Sequence, residues 1–588
     1  MRLDPRHALF RLRSRLSRRP LPVWYSPSYR LPLTGIEAVT GMEPRRADFV
    51  AWWLTRIDAV PERALRVPRP ISWEDLDRVH SLELLESLGR PETLARVFGV
   101  DPSDVPVDEV MHTIRLACGG TLAAARDALT RHAPTLNLLG GFHHAGPASA
   151  GGNCPVNDVA VAIAALRAEG FAGQVVVLDL DAHPPDGLAA CLAADERAWI
   201  GSLSGSDWGP LPRTDETRLP DGTGDADYLA ALDATLRRMP RPALAFVIAG
   251  GDVLADDRFG RLGLTLRGTR ARDLRVAQAL RGVASVWLPG GGYQREAWKV
   301  LAGTGMALAT GSDAPIPEGW SPLTARFRGI SREIDPDALA HPGLLTAADL
   351  EEALGLGAGD SRSLLLHYYT ASGLEHSLYR YGVLGFLERI GYGPFHARID
   401  RADPGGDRVR VFGDAQGSEH LLIEFILQRR RVAGSEVLYV HWLAMRNPLA
   451  RFSDARPRLP GQEVPGLGLA REMGELLALM ARRLGLAGVA YKPAHFHTAF
   501  AARHNFAFAD PARQGRFEAL VRDLGSMPLL EATLAIDEGR VRMNGAPYAW
   551  EADDMVFWLG TSPPERTDEV RAAREQTRFE VVPRDRAA

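Results

Sequence analysis

Residues 174–187 read Gln-Val-Val-Val-Leu-Asp-Leu-Asp-Ala-His-Pro-Pro-Asp-Gly, and no other stretch limits the fold as strongly. A β-branched apolar run bounded by Gly173 and Pro184 predicts a strand buried on both faces. Strands of that kind belong to parallel sheets, whose carboxyl edges are where ligands bind. Here the edge carries Asp179, Asp181 and His183. Three ionisable groups at a buried edge are costly unless something pairs them. A divalent cation is the simplest partner, because Asp and neutral His are both zinc ligands. Taken alone, the segment is equally served by an Asp capping the next helix beside an incidental His.

The surrounding chain supplies more such edges. Thr135-Leu-Asn-Leu-Leu breaks into Gly140-Gly-Phe-His-His-Ala145, and Asn157 caps a helical pattern that runs toward Gly170. Further apolar runs at 199–203, 243–249 and 284–288 alternate with helical patterns at 225–239, 269–280 and 297–309. Strands alternating with helices predict an α/β domain, a mostly parallel sheet with helices on both faces. Four predicted strand ends then deliver His143 and His144, the Asp179/Asp181/His183 cluster, Asp252, and Tyr293 to one edge. Singly each has a structural explanation: a turn for the histidines, a helix cap for Asp252, a flexible loop for Gly290-Gly-Gly. Their joint placement at four strand ends is harder to produce by accident. Two carboxylates and one histidine around an open metal position suit hydrolysis. An adjacent histidine can move the protons, and a tyrosine hydroxyl can hydrogen-bond an oxyanion.

Composition bounds the rest. At 588 residues the chain exceeds one ordinary core, so two or three domains are expected. A net charge of −4 carries no basic footprint for nucleic acid or an anionic membrane. The three cysteines, Cys118, Cys154 and Cys191, form no CxxC pair, which argues against a disulfide framework and fits a reducing cytoplasm. No apolar run reaches the roughly 18 residues of a membrane-spanning helix. Residues 1–20 read as a basic, solvated arm, 21–320 as the α/β domain and 321–360 as a linker. A separate α+β domain is expected over 361–565, with a charged tail at 566–588. In it, residues 367–390 read as one helix, 408–412, 420–430 and 436–446 as strands, and 469–484 as an amphipathic helix.

The motifs of the first domain resemble those of the zinc-dependent histone deacetylase superfamily. They are Val79-His80-Ser81, Gly140-Gly-Phe-His-His-Ala145, Cys154-x-x-Asn157-Asp-Val-Ala-Val-Ala and Asp179-Leu-Asp-Ala-His183. Ala249-Gly-Gly-Asp252-x-Leu-x-x-Asp257-x-x-Gly260 and Leu288-Pro-Gly-Gly-Gly-Tyr293 follow in the same order. The resemblance implies an arginase/deacetylase-like fold and hydrolysis of an N-acyl amide to a carboxylate and a free amine. It implies Asp181, His183 and Asp252 as zinc ligands, His144 as general base and acid, and His143 as its companion. Tyr293 would donate to the substrate carbonyl, Asp186 would orient His144, and Asp179 would orient His143. The backbone near Asp179 with Ser202 would hold a monovalent cation.

Two departures bear on function. Pro184 and Pro185 stiffen the loop between His183 and Asp186 and remove two N–H donors, so they govern whether Asp186 reaches His144. Asn153 stands where the superfamily commonly has an aromatic wall of the acyl-lysine channel, and Trp208 is a candidate replacement by position alone. In the second domain, Leu438-Tyr-Val-His-Trp-Leu followed by Gly466-Leu-Gly468 before a helix is similar to the acyl-CoA loop of GNAT N-acetyltransferases. Backbone N–H groups at Gly466 and Gly468 would cradle a pyrophosphate, although Glu463 places a carboxylate where that family prefers Gln or Arg. His495-x-His497 has no third ligand nearby in sequence and reads as packing. The expected protein is a cytoplasmic zinc deacetylase acting on an acyl-lysine peptide or acylated small amine, with no nucleic-acid or membrane partner. The alternatives are a catalytically impaired metal-binding regulatory or ligand-binding protein, and a bifunctional deacetylase that also binds acyl-CoA. The sequence leaves the oligomeric state open.

Overall fold

The computed structural model describes residues 20–312, 314–316, 321–340, 364–454, 456–560 and 567–583. The basic arm, apart from Pro20, residues 341–360 of the expected linker, 361–363 of the expected second domain, and residues 566 and 584–588 of the expected tail lie outside the described residues. No helix among the described residues is long and apolar enough to cross a membrane. The chain divides into two compact units, Met1–Pro322 and Leu323–Ala588.

Unit 1 is built on one eight-stranded sheet. Its strands are β1 (Val23–Trp24), β2 (Leu65–Arg66), β3 (Pro134–Asn137), β4 (Val175–Asp179), β5 (Ala198–Ser204), β6 (Thr214–Arg218), β7 (Leu244–Ile248) and β8 (Ala284–Leu288). They run in the order β2-β1-β3-β8-β7-β4-β5-β6, and every neighbouring pair is parallel. β4, β7 and β8 are buried at every residue, as apolar runs covered on both faces must be. The helix Val107–Arg131 lies against β3 and β8, and Asp158–Ala168, Leu266–Ala279 and Trp298–Thr310 add further buried faces. The strand order has one consequence for chemistry. β3, β8, β7 and β4, whose ends carry the candidate residues, are consecutive neighbours in mid-sheet. β6, Thr-Asp-Glu-Thr-Arg, gives no apolar signal because it is a half-exposed edge strand.

Unit 2 is a mixed α+β domain. Its strands are β9 (Phe395–Asp400), β10 (Asp407–Ala415), β11 (Ser418–Val432), β12 (Ser435–Met445), β13 (Gly488–Tyr491), β14 (Ala507–Phe508), β15 (Val541–Met543), β16 (Ala546–Pro547), β17 (Met555–Trp558) and β18 (Phe579–Val581). Seven of them form a sheet ordered β14-β17-β13-β12-β11-β10-β9, and β16-β15-β18 form a small second one. The large sheet is antiparallel except where β12 pairs with β13, the two being joined through the helix Ala470–Arg483.

Three sequence expectations change here. The helix expected over 367–390 is two, Ala371–Arg380 and Val383–Arg389, broken at Gly382, whose φ of +79° no helix interior accepts. The first part of the expected linker holds helices Pro322–Glu333 and Pro336–Ala340, and Ile334 and Leu339 are buried in the core of unit 2. Within the residues read as a charged tail, the described part includes the helix Thr567–Gln576 and β18, and Phe579 is buried in an apolar cluster with Phe517 and Tyr548.

Candidate active site

The histidine pair is held by the loop after β3, and the helix Asp158–Ala168 holds that loop. Asn157 caps the helix through Oδ1, which accepts from the Ala160 N–H at 3.0 Å, while its Nδ2 donates to the Ala145 carbonyl at 3.0 Å. Asp158, fully buried, accepts from the N–H groups of Gly141 (3.0 Å) and Phe142 (2.8 Å). His80 adds a third tie: its Nδ1 lies 3.0 Å from the Gly146 carbonyl, and its Nε2 accepts from the Asn157 N–H at 2.9 Å. That pairing requires neutral imidazole, and burial lowers the His80 pKa to about 4. Unfolded, the residue titrates near its ordinary value of about 6.5. Its contribution is therefore complete above about pH 6.5 and is lost as pH falls toward 4, on the order of 3 kcal/mol in all. We expect the melting temperature to fall less steeply between pH 7 and 5 in His80→Gln than in the wild-type protein. Equal slopes would remove His80 from the account.

At the ends of β4 and β7 the acids converge. Asp181, His183 and Asp252 each offer a ligand atom, and these atoms all lie within 4.8 Å of one another. Among the described residues this is the one such cluster. His183 Nδ1 sits 3.2 Å from Asp181 Oδ1 and 3.0 Å from Asp252 Oδ2. The outer contacts are backbone donors: the Gly291 N–H reaches Asp181 Oδ2 at 2.7 Å, and the Ala182 N–H reaches Asp252 Oδ1 at 3.0 Å. Burial opposes charge on His183, but its hydrogen bonds to Asp181 and Asp252 prevail and raise its pKa to about 11. Burial, then the neighbouring Asp181, raises Asp252 to about 7. A proton on His183 Nδ1 thus occupies the point where two carboxylates and an imidazole nitrogen meet. That donor set, two oxygens and one nitrogen steadied by surrounding hydrogen bonds, is the chemistry a zinc ion takes.

The histidines differ from one another. His143 Nδ1 lies 2.9 Å from Asp179 Oδ2, and its Nε2 lies 3.1 Å from His144 Nε2. Burial would lower the His143 pKa, but Asp179 and Asp181 outweigh it and raise it to about 9. His144 goes the other way: burial, then charge on His143, lowers it to about 4. One imidazole of the pair is therefore held protonated and the other neutral at pH 7. His144 Nδ1 lies 2.7 Å from Asp186 Oδ1.

The two prolines are compatible with this contact. The Asp186 N–H donates to the Pro184 carbonyl at 2.9 Å, and Pro185 occupies the N-cap of the helix Asp186–Leu192. Proline there loses no hydrogen bond, since the first helical N–H groups have no partner within the helix. The same helix presses on the histidine loop. The Leu188 N–H donates to the His143 carbonyl at 2.8 Å, and a Cβ on Gly187 would lie 2.4 Å from the His144 backbone.

Tyr293 completes the edge. Its N–H donates to Asp257 Oδ2 at 2.7 Å, and Asp257 Oδ1 also takes the N–H groups of Phe259 and Gly260. Phe259 packs edge-on against the Tyr293 ring at 4.9 Å. Trp208, half exposed, lies over His144 with ring centroids 5.1 Å apart and a 30° tilt. Asn153 Nδ2 donates to the Tyr293 hydroxyl at 3.2 Å.

Three supports escaped sequence reasoning. Arg46 donates to the Gly290 carbonyl at 3.0 Å, Arg272 donates to the Gly250 carbonyl at 2.8 Å, and Asp257 positions Tyr293. Asp257 lay in a quoted motif, which was its signal; Arg46 and Arg272 carried none.

Gly466 and Gly468 belong to unit 2 and stand before the helix Ala470–Arg483. Gly468 adopts φ +71°, the helix lacks a side-chain cap, and the Gly466 carbonyl accepts from Arg456 Nη2. His495 and His497 stack at 5.4 Å, with His497 buried and its pKa lowered to about 4 by burial.

Comparison with known proteins finds relatives of the first unit. A family model described as "Histone deacetylase domain" matches residues 40–307. Histone deacetylase 2 of Arabidopsis thaliana is 30% identical over 296 residues, 47% of this chain and 76% of that protein. Probable histone deacetylase 1-A of Xenopus laevis is 28% identical over 256 residues, 38% of this chain and 52% of that protein. Among solved structures, an HDAC homolog complexed with SAHA is 21% identical, with a TM-score of 0.44 over 50% of this chain and 86% of that one. Through its first unit, the chain belongs to the histone deacetylase family.

Proposed function

We propose that the chain is a zinc-dependent amidohydrolase that removes an acyl group, acetyl in the first instance, from an acylated lysine or polyamine-type amine. The observation that carries this reading is the convergence, at a single sheet edge, of a three-atom ligand set with two histidines each held by a carboxylate. Asp181, His183 and Asp252 would hold the ion, which when bound supplies Lewis-acid polarisation of a carbonyl and acidifies water. His144, neutral and fixed by Asp186, takes the proton of the attacking water and returns it to the leaving amine. His143, fixed by Asp179, stabilises the charge that develops on oxygen. Tyr293 donates to the substrate carbonyl oxygen. The indole of Trp208 supplies an apolar wall for the chain that carries the amide.

A monovalent cation beside Asp179 is supported by Ser202. Its Oγ is buried and has no hydrogen-bond partner among the described residues, and Ser202 aligns with Asp179 in the β4–β5 register. For unit 2, the parallel β12–β13 pair followed through a glycine-bearing loop into a helix supports a GNAT-like fold. Acyl-CoA binding through the N–H groups of Gly466 and Gly468 is the second reading, and the carboxylate of Glu463 counts against it.

The test is a panel of acetyl-lysine peptides and acetylated di- and polyamines, assayed with zinc-loaded and chelator-stripped protein. Hydrolysis that disappears on stripping and returns with zinc is the expected result. Activity indifferent to the metal overturns the zinc assignment.

A further inference from the structure

We propose that Asn153 is a positioning residue that holds the Tyr293 hydroxyl with its proton free for the substrate carbonyl. The proposal rests on the deacetylase reading for the identity of that substrate.

Three observations converge on it. The first is the hydrogen bond itself. Asn153 Nδ2 donates to Tyr293 Oη at 3.2 Å, the one hydrogen bond that this hydroxyl makes among the described residues. An oxygen that accepts keeps its own proton available for a second partner. The second is the backbone. Gly152 and Asn153 are successive left-handed residues, with φ of +56° and +62°, and the Asn153 N–H is anchored on the Val97 carbonyl at 3.1 Å. A Cβ on Gly152 would lie 2.4 Å from His144 Cδ2, so this turn is clamped against the proposed base. Asparagine is among the few non-glycine residues that take a left-handed conformation readily, which lets a side chain be presented from such a turn.

The third is what the amide gives up. Asn153 Oδ1 is buried and has no hydrogen-bond partner among the described residues. An unpaired buried acceptor is destabilising, so packing alone does not explain an amide here. Polar groups kept in the interior at a net cost are expected at functional positions. Tyr293 is otherwise located by its backbone and ring, through Asp257 and Phe259, and neither contact sets the direction of its O–H. Asn153 does.

The test is a double-mutant cycle in the full-length, zinc-loaded chain. Asn153→Gly tolerates the left-handed backbone and removes the side chain. Asn153→Asp keeps the shape but offers only acceptors, so it draws the Tyr293 proton away from substrate. On an acetyl-lysine peptide, Asn153→Gly is expected to lower kcat about tenfold while KM stays within about threefold, and Asn153→Asp to lower kcat further. In a Tyr293→Phe background the additional effect of Asn153→Gly should shrink to less than about twofold. The affinity of a hydroxamate, measured calorimetrically, should show the same coupling without turnover. If the wild-type protein binds the hydroxamate but hydrolyses no acyl amide, the deacetylase reading fails and the affinity cycle decides on Asn153. Wild-type kcat in Asn153→Gly, or losses that multiply with those of Tyr293→Phe in both readouts, overturns the proposal.

Discussion

Replacing His144 with alanine is expected to lower acyl-amide hydrolysis about a thousandfold while the protein keeps its metal. His144 contributes none of the three converging ligand atoms. Its Nε2 faces His143 and its Nδ1 is held by Asp186, an arrangement suited to moving a proton and not to holding an ion. Asp186→Asn should cost less, about 10- to 100-fold, because it disturbs the orientation of the imidazole and not its presence. Steady-state rates together with metal analysis of the purified variants check both. Retained turnover in His144→Ala would remove the residue from the mechanism.

Asp252→Asn is expected to abolish metal retention and hydrolysis together. The substitution keeps the shape and leaves an amide oxygen to accept from the Ala182 N–H, but it removes one of two carboxylate charges from the ligand set. In the metal-free protein Asp252 is a burdened group, its pKa raised to about 7 by burial and by Asp181. The neutral variant should therefore melt no lower than metal-free wild type. The separation appears on adding zinc. A ligand at 100 times its dissociation constant stabilises the form it binds by about 2.7 kcal/mol, so wild type should shift upward and Asp252→Asn should not. A variant that shifts as much as wild type would move the metal elsewhere.

The sequence and the structure agree where chemistry sits at the ends of apolar strands. β4, β7 and β8 are short, buried and β-branched or aromatic, and each ends within a few residues of the group it presents. Local pattern was enough to bring Asp179, Asp181, His183 and Asp252 to one edge, and the family resemblance separated Asp179 from the three whose ligand atoms converge. It was not enough for contacts that link distant segments. Arg46 meets Gly290 across 244 residues, and Asn153 meets Tyr293 across 140. No periodicity encodes such pairs. The effect of Pro184 and Pro185 was also hidden, because it depends on where the helix after them begins. With Pro185 at the N-cap, the missing N–H groups are ones no helix would have used.

Unit 2 was less legible for a different reason. Its strands are amphipathic or short, and β9, Phe-His-Ala-Arg-Ile-Asp, is partly exposed along its length. Helices with a single apolar anchor, such as Pro336–Ala340 with Leu339, resemble linker in sequence and become structure only through the core they meet. The small sheet of β15, β16 and β18 pairs residues 541–543 with 579–581 and has no local signature.

The central claim is that the edge of β3, β8, β7 and β4 is a working deacetylase site rather than a metal-holding remnant. It is tested most directly by acetate release from acetyl-lysine peptides and acetylpolyamines, measured with the zinc-loaded full-length chain beside His144→Ala. Acetate is expected from the wild-type protein and at most a trace from the variant, with equal zinc in both. Stoichiometric zinc in the wild-type protein with no acetate from any substrate would contradict it and favour a regulatory or ligand-binding protein.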